Sequence, residues 1–239
     1  MCTVTFFPLQ DKGFILTSNR DERLSRSNTL PPAAYYSESE TLYFPRDQES
    51  TGTWIACSSS GKTFCLLNGA FEYHKSEPPY RKSRGLVLLE MLQASDAAEY
   101  LSARGLNGIE PFTLVMVKTL SGKIILQELR WDGNRPHLKV LNSSLPHIWS
   151  SATLYDSEIR QARQDWFHRW LSDNPDPGQD ELLHFHRFGG KGESENDLVM
   201  KRSNGRQTIS ITSVISSQEK NEMCYEDLVR EIKYRISID

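Results

Sequence analysis

Apolar and polar residues alternate along the first part of the chain, as they do in half-buried β-strands. The segments "CTVTFFP" and "GFILTSN" lie on either side of "LQDKG", so we predict a hairpin that turns near Asp11 and Lys12. A second hairpin is predicted for "TGTWIAC" and "TFCLLNG", with its turn at residues 58–62. Residues 23–50 are polar and contain several prolines, and we expect a long loop there with one short strand at "TLYF".

The apolar spacing changes from that of strands to that of helices in the middle of the chain. "SRGLVLLEMLQ" and "SDAAEYLSARG" predict two helices, the second with Ser95 as its N-cap and Gly105 at its end. "DSEIRQARQDWFHRWLSD" is the clearest helix, with large apolar side chains along one face and Asp156 or Ser157 as its cap. "QDELLHFHRF" predicts a shorter fourth helix.

Strand patterns follow the second and the fourth predicted helices. "FTLVMVKT", "KIILQELRW", "HLKVLN" and "HIWSS" are β-rich, and "QTISITSVISS" with "NEMCYEDL" predicts a closing hairpin around "QEK". No internal repeat or low-complexity linker divides the sequence. We therefore predict a single α+β domain over residues 1–239, with two antiparallel sheets packed face to face and helices covering the outside.

Charge and hydropathy exclude several classes of partner. Charged residues make up 25% of the 239 residues, the formal net charge is -3, and no long run of one sign occurs. This balance argues against a nucleic-acid partner held by electrostatic attraction. No apolar stretch reaches the roughly 20 residues that a membrane-spanning helix needs, and no secretory leader is visible. We expect a soluble, cytoplasmic protein without a transmembrane segment.

Neither the cysteines nor the histidines have the spacing of a metal site. The chain has no CxxC pair, and its four cysteines are Cys2, Cys57, Cys65 and Cys224. We expect Cys57 and Cys65 to be small buried residues on neighbouring strands. His184 and His186 lie two residues apart in a predicted helix and therefore point to different faces. We predict no metal site and no cofactor.

The first hairpin brings together residues with the chemistry of a nucleophilic site. Facing residues have numbers that sum to about 23, so Cys2 falls opposite Asp21 or Arg20, with Cβ atoms about 5 Å apart. Removal of Met1 would expose the α-amine of Cys2, whose pKa of about 7.7–8.0 suits a general base. Arg20 would favour the thiolate, and Asp21 would orient the ammonium. The alternative is an ordinary strand end with a surface ion pair.

Five short motifs in the first third of the chain resemble those of the NRDE family, also called the transport-and-Golgi-organisation 2 family. They are "MCTV", "SNRDER", "GTW", "LLNG" and "SRG", in that order. The resemblance implies the fold of N-terminal nucleophile hydrolases, a four-layer αββα sandwich. More distantly, the opening is similar to choloylglycine hydrolases and penicillin V acylases, which cleave amide bonds with an N-terminal cysteine.

The resemblance implies roles for individual residues. By the pattern of the acylases, Cys2 would be nucleophile and base, Asp21 would orient its amine, and Asn68 would donate to the oxyanion. The remaining members of the tetrad at residues 19–22 are candidates as well, Arg20 for catalysis and Asn19 and Glu22 for substrate binding.

The chain departs from the acylase pattern at two places and leaves a third position open. The acylases carry an arginine three residues before the aspartate, where this chain has Ser18, and Arg20 could substitute from the same strand face. In place of an asparagine near the oxyanion, "IWSSATLYDSEIR" offers Ser150 or Ser151. A late-strand arginine corresponds to Arg202 or Arg206, and the pattern does not choose between them.

Two further motifs are candidates for ligand contacts. Trp54 either forms the wall of a ligand pocket or is a core aromatic at a sheet edge. Ser83 and Arg84 open a helix whose free N–H groups can hold a carboxylate or phosphate. Otherwise Arg84 pairs with a nearby acid such as Glu72 or Glu77.

Two functions follow as expectations, and a structural or interaction role is a third hypothesis that the sequence neither supports nor excludes. The first is an N-terminal-cysteine hydrolase that cleaves an amide or related acyl bond through a thioester at Cys2. The second is a non-catalytic carrier on the same scaffold. Because the resemblance links eukaryotic members to lipid, acyl-coenzyme A and haem handling, its ligand would be a hydrophobic anion. The sequence names neither the substrate nor the oligomeric state.

Overall fold

Two antiparallel sheets lie face to face between two layers of helices. The computed structural model describes residues 3–10, 12–26, 28–37 and 39–239. In chain order its strands and helices are β1 (Thr3–Pro8), β2 (Phe14–Arg23), β3 (Thr29–Tyr36), β4 (Thr41–Asp47), β5 (Ile55–Ser58), β6 (Lys62–Asn68), α1 (Arg84–Gln93), α2 (Ala97–Arg104), β7 (Phe112–Leu120), β8 (Lys123–Trp131), β9 (Pro136–Leu141), β10 (His147–Ser150), α3 (Ser157–Asp173), α4 (Gln179–Phe188), β11 (Arg206–Ser216), β12 (Asn221–Asp227) and β13 (Ile232–Ser237).

Each sheet is covered by helices on its outer side. The first sheet has the strand order β10-β1-β2-β11-β12-β13, and the second has the order β3-β4-β5-β6-β7-β8-β9. Phe6 and Leu16 of the first sheet pack against Val115 of the second in the layer between the sheets. Helices α1 and α2 pack on the second sheet, and α3 and α4 pack on the first. The αββα order of layers agrees with the expected architecture.

The first hairpin forms with nearly the predicted register. Thr3 pairs with Asn19 and Pro8 pairs with Phe14, so facing numbers sum to 22. The backbone N–H of Leu9 donates to the carbonyl of Gly13 at 2.9 Å and closes the turn. β1 also pairs with β10 on its other side, where Thr3 faces Ser150. The start of β1 is therefore held between two neighbouring strands.

Residues 23–50 are not the long loop that the proline content predicted. They contain β3 and β4, which pair with each other at the edge of the second sheet. Pro31 and Pro32 lie in β3 at a shift in register between Leu30 and Ala33. An edge strand tolerates proline because its outward positions need no N–H donor. The prediction was wrong because it treated these prolines as breakers of a strand.

Two other local predictions need correction. The N-cap of α2 is Asp96 and not Ser95, because the Asp96 carboxylate accepts the N–H of Glu99 at 2.8 Å. The closing hairpin of β11 and β12 has a third strand, β13, which the sequence analysis missed. The side chains of β13 are largely exposed or half-buried, so its apolar pattern is weak. The predicted end of α2 at Gly105 and the caps of α1 and α3 are confirmed.

The three cysteines within the described residues form no disulfide. Cys57, Cys65 and Cys224 are buried, as expected for the first two. Burial raises the pKa of the Cys57 and Cys65 thiols to about 12 and that of Cys224 to about 11. These thiols are therefore protonated and unreactive near neutral pH.

Among the described residues, no helix has both the length and the apolar composition needed to cross a lipid bilayer.

Helix α1 approaches the second sheet so closely that only glycine fits at the contact. A Cβ on Gly85 would lie 2.6 Å from the carbonyl oxygen of Thr53, and a Cβ on Gly52 would lie 2.7 Å from the carbonyl carbon of Gly85. Both obstructing atoms belong to the backbone and cannot move aside by rotating a side chain.

We expect Gly85→Ala to lower the free energy of unfolding by about 1–3 kcal/mol, because an added methyl group forces a backbone shift. Chemical denaturation measures this value. Gly178→Ala is the matched control, since a Cβ there meets only the flexible carboxylate of Glu181 within 3 Å. Equal stability of the two variants would contradict the close approach of α1.

Candidate functional site

A cavity of about 300 Å³ opens where the ends of β2 and β6 meet the start of α1. It collects six of the residues that the sequence analysis selected, namely Arg20, Glu22, Trp54, Asn68, Ser83 and Arg84. The other lining residues include two carboxylates and two further cations, which are Asp47, Glu110, Arg26 and Lys82. The cavity is therefore lined mainly by polar and charged side chains.

Arg20 is the most buried cation at this cavity. Its guanidinium donates to Asp47 Oδ2 at 2.5 Å and to Thr29 Oγ1 at 3.2 Å. The same group lies 4.5 Å from the centre of the Trp54 ring. Burial lowers the pKa of Arg20, and the Asp47 carboxylate opposes that effect. Arg20 therefore remains charged as one half of an ion pair that joins the two sheets.

Asp47 is a partner that the sequence analysis did not identify. Its Oδ1 accepts the N–H of Glu49 at 3.1 Å and the N–H of Ser50 at 2.8 Å, which makes it the first residue of a turn after β4. Burial raises the pKa of Asp47, but the Ser50 N–H together with Arg20 and Arg26 lowers it below the ordinary value. The segment "DQES" has an aspartate in the first position, which is typical of such a turn. This pattern could have indicated the role of Asp47 from the sequence.

Asp21 faces the opposite side of β2, toward the helices. Its Oδ2 accepts the hydroxyl of Tyr155 at 2.7 Å, and its Oδ1 accepts the hydroxyl of Thr208 at 2.5 Å. The Tyr155 ring stacks on the guanidinium of Arg163 at 3.7 Å, and Arg163 in turn donates to Thr3 Oγ1. Asp21 is only 2% exposed. These contacts hold a carboxylate and the start of β1 in one rigid network.

Asn19 is structural and does not line the cavity. Its Nδ2 donates to the carbonyl oxygens of His186 at 3.0 Å and Leu198 at 2.8 Å, and its Oδ1 accepts the Nδ1–H of His186. The residue is 0% exposed. Its amide is occupied in the layer between β2 and α4, which leaves it no donor for a ligand.

Asn68 and Ser151 meet at the end of β6. Asn68 borders the cavity, while Ser151 is buried and donates its hydroxyl to the Asn68 carbonyl oxygen at 2.8 Å. Ser151 therefore holds the backbone of Asn68, and its own hydroxyl does not line the cavity. Ser150, the other alternative, lies in β10 opposite Thr3.

Ser83 and Arg84 begin α1 at the rim of the cavity. The hydroxyl of Ser83 accepts the N–H of Leu86 at 3.4 Å, which confirms the predicted cap. Arg84 pairs with Glu110 at 3.1 Å and donates to the carbonyl of Pro111 at 3.1 Å. Arg84 thus pairs with an acid as expected, but the acid is Glu110, in the loop before β7, and not Glu72 or Glu77. Burial lowers the pKa of Arg84.

Trp54 and Glu22 line the cavity and also contact neighbouring residues of the protein. Trp54 is 3% exposed and belongs to the core between the sheets, yet it also lines the cavity. The two interpretations of Trp54 are thus compatible. Glu22 pairs with Arg26 at 3.3 Å. Burial raises the pKa of Glu22, but the Arg23 N–H and the cations Arg26 and Arg20 lower it overall.

Arg202 and Arg206, the two candidates for the late-strand arginine of the acylases, lie in different surroundings. Arg202 stacks on the Tyr155 ring at 5.1 Å and donates to the Leu154 carbonyl oxygen at 3.0 Å. Arg206 begins β11 opposite Arg23 and does not line the cavity. Arg202 is therefore the arginine connected to Asp21, through Tyr155.

Cys2, the candidate nucleophile, lies outside the described residues, as does Met1. Within the described residues, no group of three or more His, Cys, Asp or Glu side chains is arranged to hold a metal ion. His184 is exposed and His186 is 0% exposed, so they occupy different faces of α4 as expected.

The chain belongs to the Transport and Golgi organisation 2 family, whose model matches residues 1–212. A search of curated proteins found no match. Among solved structures, the chain is similar to a variant of the conjugated bile acid hydrolase from Clostridium perfringens, with a TM-score of 0.63 and 11% identity over 99% of this chain and 92% of the other.

Two further solved structures share the architecture. The N-acylethanolamine-hydrolyzing acid amidase orthologue of Caenorhabditis elegans has a TM-score of 0.59 and 11% identity over 89% of this chain and 92% of the other. Penicillin V acylase from Agrobacterium tumefaciens has a TM-score of 0.60 and 9% identity over 99% and 86%. At these identities the likeness shows the fold alone, the αββα sandwich of N-terminal nucleophile hydrolases.

We expect Asp47→Asn to lower the free energy of unfolding by about 3–5 kcal/mol at pH 7, because it leaves the buried charge of Arg20 unpaired. Since the folded-state pKa of Asp47 is lowered, its stabilisation is present above the unfolded pKa of about 3.9 and is lost as the pH falls through the folded value. The variant should therefore lose less stability than wild type below pH 4. Glu49→Gln, at an exposed carboxylate, is the control; a loss as large in that variant would exclude this explanation.

His186 predicts a second dependence of stability on pH. Burial lowers its pKa from 6.5 to about 3. The unfolded chain takes up a proton that the folded chain does not, so stability is lost as the pH falls from about 6.5 toward 3. Denaturant titrations at several pH values should show a flatter curve for His186→Gln and an unchanged one for His184→Gln. A flatter curve for His184→Gln would contradict the assignment.

Proposed function

We propose that this member of the Transport and Golgi organisation 2 family is an N-terminal-cysteine hydrolase that cleaves an amide or related acyl bond with Cys2 after removal of Met1. The observation that carries the proposal is the carboxylate of Asp21. It is buried, is oriented by two hydroxyl donors, and lies two residues beyond the strand partner of Thr3. One peptide bond joins Thr3 to Cys2 and places their Cα atoms about 3.8 Å apart.

Asp21 has the properties needed to orient an ammonium group. Tyr155 and Thr208 each donate one hydrogen bond to it, so its oxygens are fixed in direction. Arg163 also holds Thr3, the first described residue of β1, which is bonded to Cys2. An N-terminal amine in contact with Asp21 would be positioned as the general base.

The proposed reaction proceeds through a thioester. The sulfur of Cys2 bonds to the substrate carbonyl carbon while its proton passes to the α-amine, and the amide of Asn68 donates to the resulting oxyanion. The C–N bond then breaks, and the leaving amine takes the proton from the α-ammonium. Water then adds to the thioester carbon while its proton passes to the α-amine. The C–S bond breaks, the thiolate takes the proton back from the α-ammonium, and the carboxylic acid leaves.

Arg20 contributes less to the thiolate than its position suggests. Its charge is already neutralised by Asp47 at 2.5 Å, and its guanidinium is fixed against Trp54. The α-amine, and not Arg20, is therefore the group proposed to activate the thiol. Arg20 shapes the cavity wall beside it.

The lining of the cavity favours a small polar substrate. Four cations and three carboxylates border it, and its apolar surface comes from few residues such as Trp54 and Leu66. A hydrophobic anion of the size of haem or a long acyl chain finds little apolar surface there. This supports turnover of a small acyl or amide substrate over the carrier function, with residues 1–239 taken as one catalytic domain.

We expect the intact mass of untagged protein to show the loss of one methionine and, after iodoacetamide at neutral pH, a single label on Cys2. The other thiols are buried, with their pKa values raised to about 11–12, and should stay unlabelled. Cys2→Ala should lose both the label and turnover of small amides or thioesters, and Cys224→Ala should keep both.

Retention of Met1, or turnover that survives Cys2→Ala, would overturn this proposal. Stoichiometric binding of acyl-coenzyme A or haem that persists in Cys2→Ser, without an acyl-enzyme burst, would establish the carrier function in its place.

A further inference from the structure

A second cavity lies on the other side of the end of β6, beside β10. It has a volume of about 210 Å³ and borders the start of α3. Ser150 lines it and is the strand partner of Thr3, so the cavity adjoins the strand end that carries Cys2. We call it the arginine pocket, and define it by Thr113, Arg130, Ser150, Arg160, Gln161 and Gln164.

The described lining of the arginine pocket contains two arginines and no carboxylate. Arg160 uses Nη1 to donate to the Phe71 carbonyl oxygen at 2.9 Å and Nε to donate to the Asp156 carbonyl oxygen at 3.3 Å. Within the described part of the chain it forms no ion pair, so its charge is not neutralised by a neighbouring carboxylate.

Arg130 is only partly satisfied. Its Nη2 donates to Glu128 at 2.8 Å and its Nη1 donates to the Ala70 carbonyl oxygen at 2.9 Å. Its Nε–H is buried and has no hydrogen-bond partner among the described residues. A buried donor without a partner is destabilising, and a neighbouring anion would reduce that cost by its charge.

Glu128 is the carboxylate that pairs directly with an arginine of the pocket, Arg130. Glu128 also accepts the indole N–H of Trp149 at 2.7 Å. Burial raises the pKa of Glu128, but Arg130 and Trp149 lower it overall, so the group is ionised at neutral pH. Asp156 uses its carboxylate to cap the N–H of Ile159 at 2.9 Å. Asp165 accepts the Nε2–H of Gln161 at 3.0 Å. Among the described residues neither Asp156 nor Asp165 forms an ion pair with an arginine of the pocket, so Arg160 has no directly paired carboxylate.

We infer that the arginine pocket binds the anionic end of the substrate, a carboxylate or a phosphate, while the scissile carbonyl lies at Cys2. This inference rests on the proposed function for the position of Cys2. Paired guanidinium groups recognise such anions with charge-assisted hydrogen bonds, and Gln161 and Gln164 add neutral donors. Ser150 of the pocket faces Thr3 across adjacent strands, about 5 Å away, and Thr3 is bonded to Cys2. The substrate is therefore a compact acyl compound with its charge a few bonds from the amide.

Equilibrium binding to Cys2→Ser separates recognition from turnover. The probes share one acetamide skeleton and differ at one end: N-acetyl-β-alanine carries a carboxylate, its amide is neutral, and O-phospho-N-acetylethanolamine carries a phosphate. We expect calorimetry to show binding of at least one anionic probe about tenfold or more tighter than that of the neutral amide. The carboxylate and phosphate arms identify which anion the pocket accepts.

Variants of the pocket test the residues themselves. Arg160→Gln should remove most of the preference for the anion, and Arg169→Gln, on an exposed position of the same helix, should keep it. Gln161→Glu adds a carboxylate at an exposed position of the lining and should also reduce the preference for the anion. This second variant keeps the inference testable if Arg160→Gln fails to fold.

Equal affinity for charged and neutral probes, no binding of any probe, or a preference that persists in Arg160→Gln and Gln161→Glu would each overturn the inference. If the protein prefers the anionic probes but turns over no acyl substrate, the anion-binding inference holds and the proposed hydrolase function is wrong. If the protein turns over substrate at Cys2 but shows no preference for an anion, the hydrolase function holds and the anion-binding inference is wrong.

Discussion

The ion pair between Arg20 and Asp47 joins the two sheets where the cavity opens. Arg20 belongs to the first sheet and Asp47 to the second, and the guanidinium also stacks on Trp54, which directly precedes β5 of the second sheet. A buried ion pair tolerates little change in geometry, because separating its members leaves a charge in a medium of low dielectric constant. The spacing of the sheets at this end, and with it the width of the cavity, therefore depends on this contact, which the pairing of Arg26 with Asp47 and Glu49 supports.

The alternation of side chains along β2 divides the residues from 19 to 22 between two surroundings. Arg20 points between the sheets toward the cavity, while Asn19 and Asp21 point toward the helices. Asn19 binds the backbone of α4 and the segment after it, and Asp21 binds Tyr155 and Thr208. A motif of four consecutive residues thus stabilises two interfaces of the sandwich at once, and only Arg20 and Glu22 line the cavity.

Much of the fold could be predicted from local pattern, and the partners of the site could not. The first hairpin and the four helices could be predicted from the spacing of apolar residues, the turn residues and the helix caps, because each of these signals spans only a few residues. Arg20 and Asp47 are separated by 27 positions, and Asp21 and Tyr155 by 134, so no periodicity reports their contact. Strands β3 and β13 were missed because prolines and exposed side chains obscure the alternation of edge strands. The roles of Cys2, Asn68 and the other site residues remain predictions.

The contact between Gly52 and Gly85 limits how this site can change during evolution. Most crowded positions in a protein can be rescued by a second substitution that shortens the neighbouring side chain. Here the obstructing atoms are backbone atoms of Gly85 and Thr53, which every amino acid possesses. No substitution at those neighbours can relieve the contact. The cavity can therefore change through the side chains that line it, while the position of α1 against Gly52 and Thr53 stays fixed. Descendants of this sequence can alter what the cavity binds more readily than where it lies.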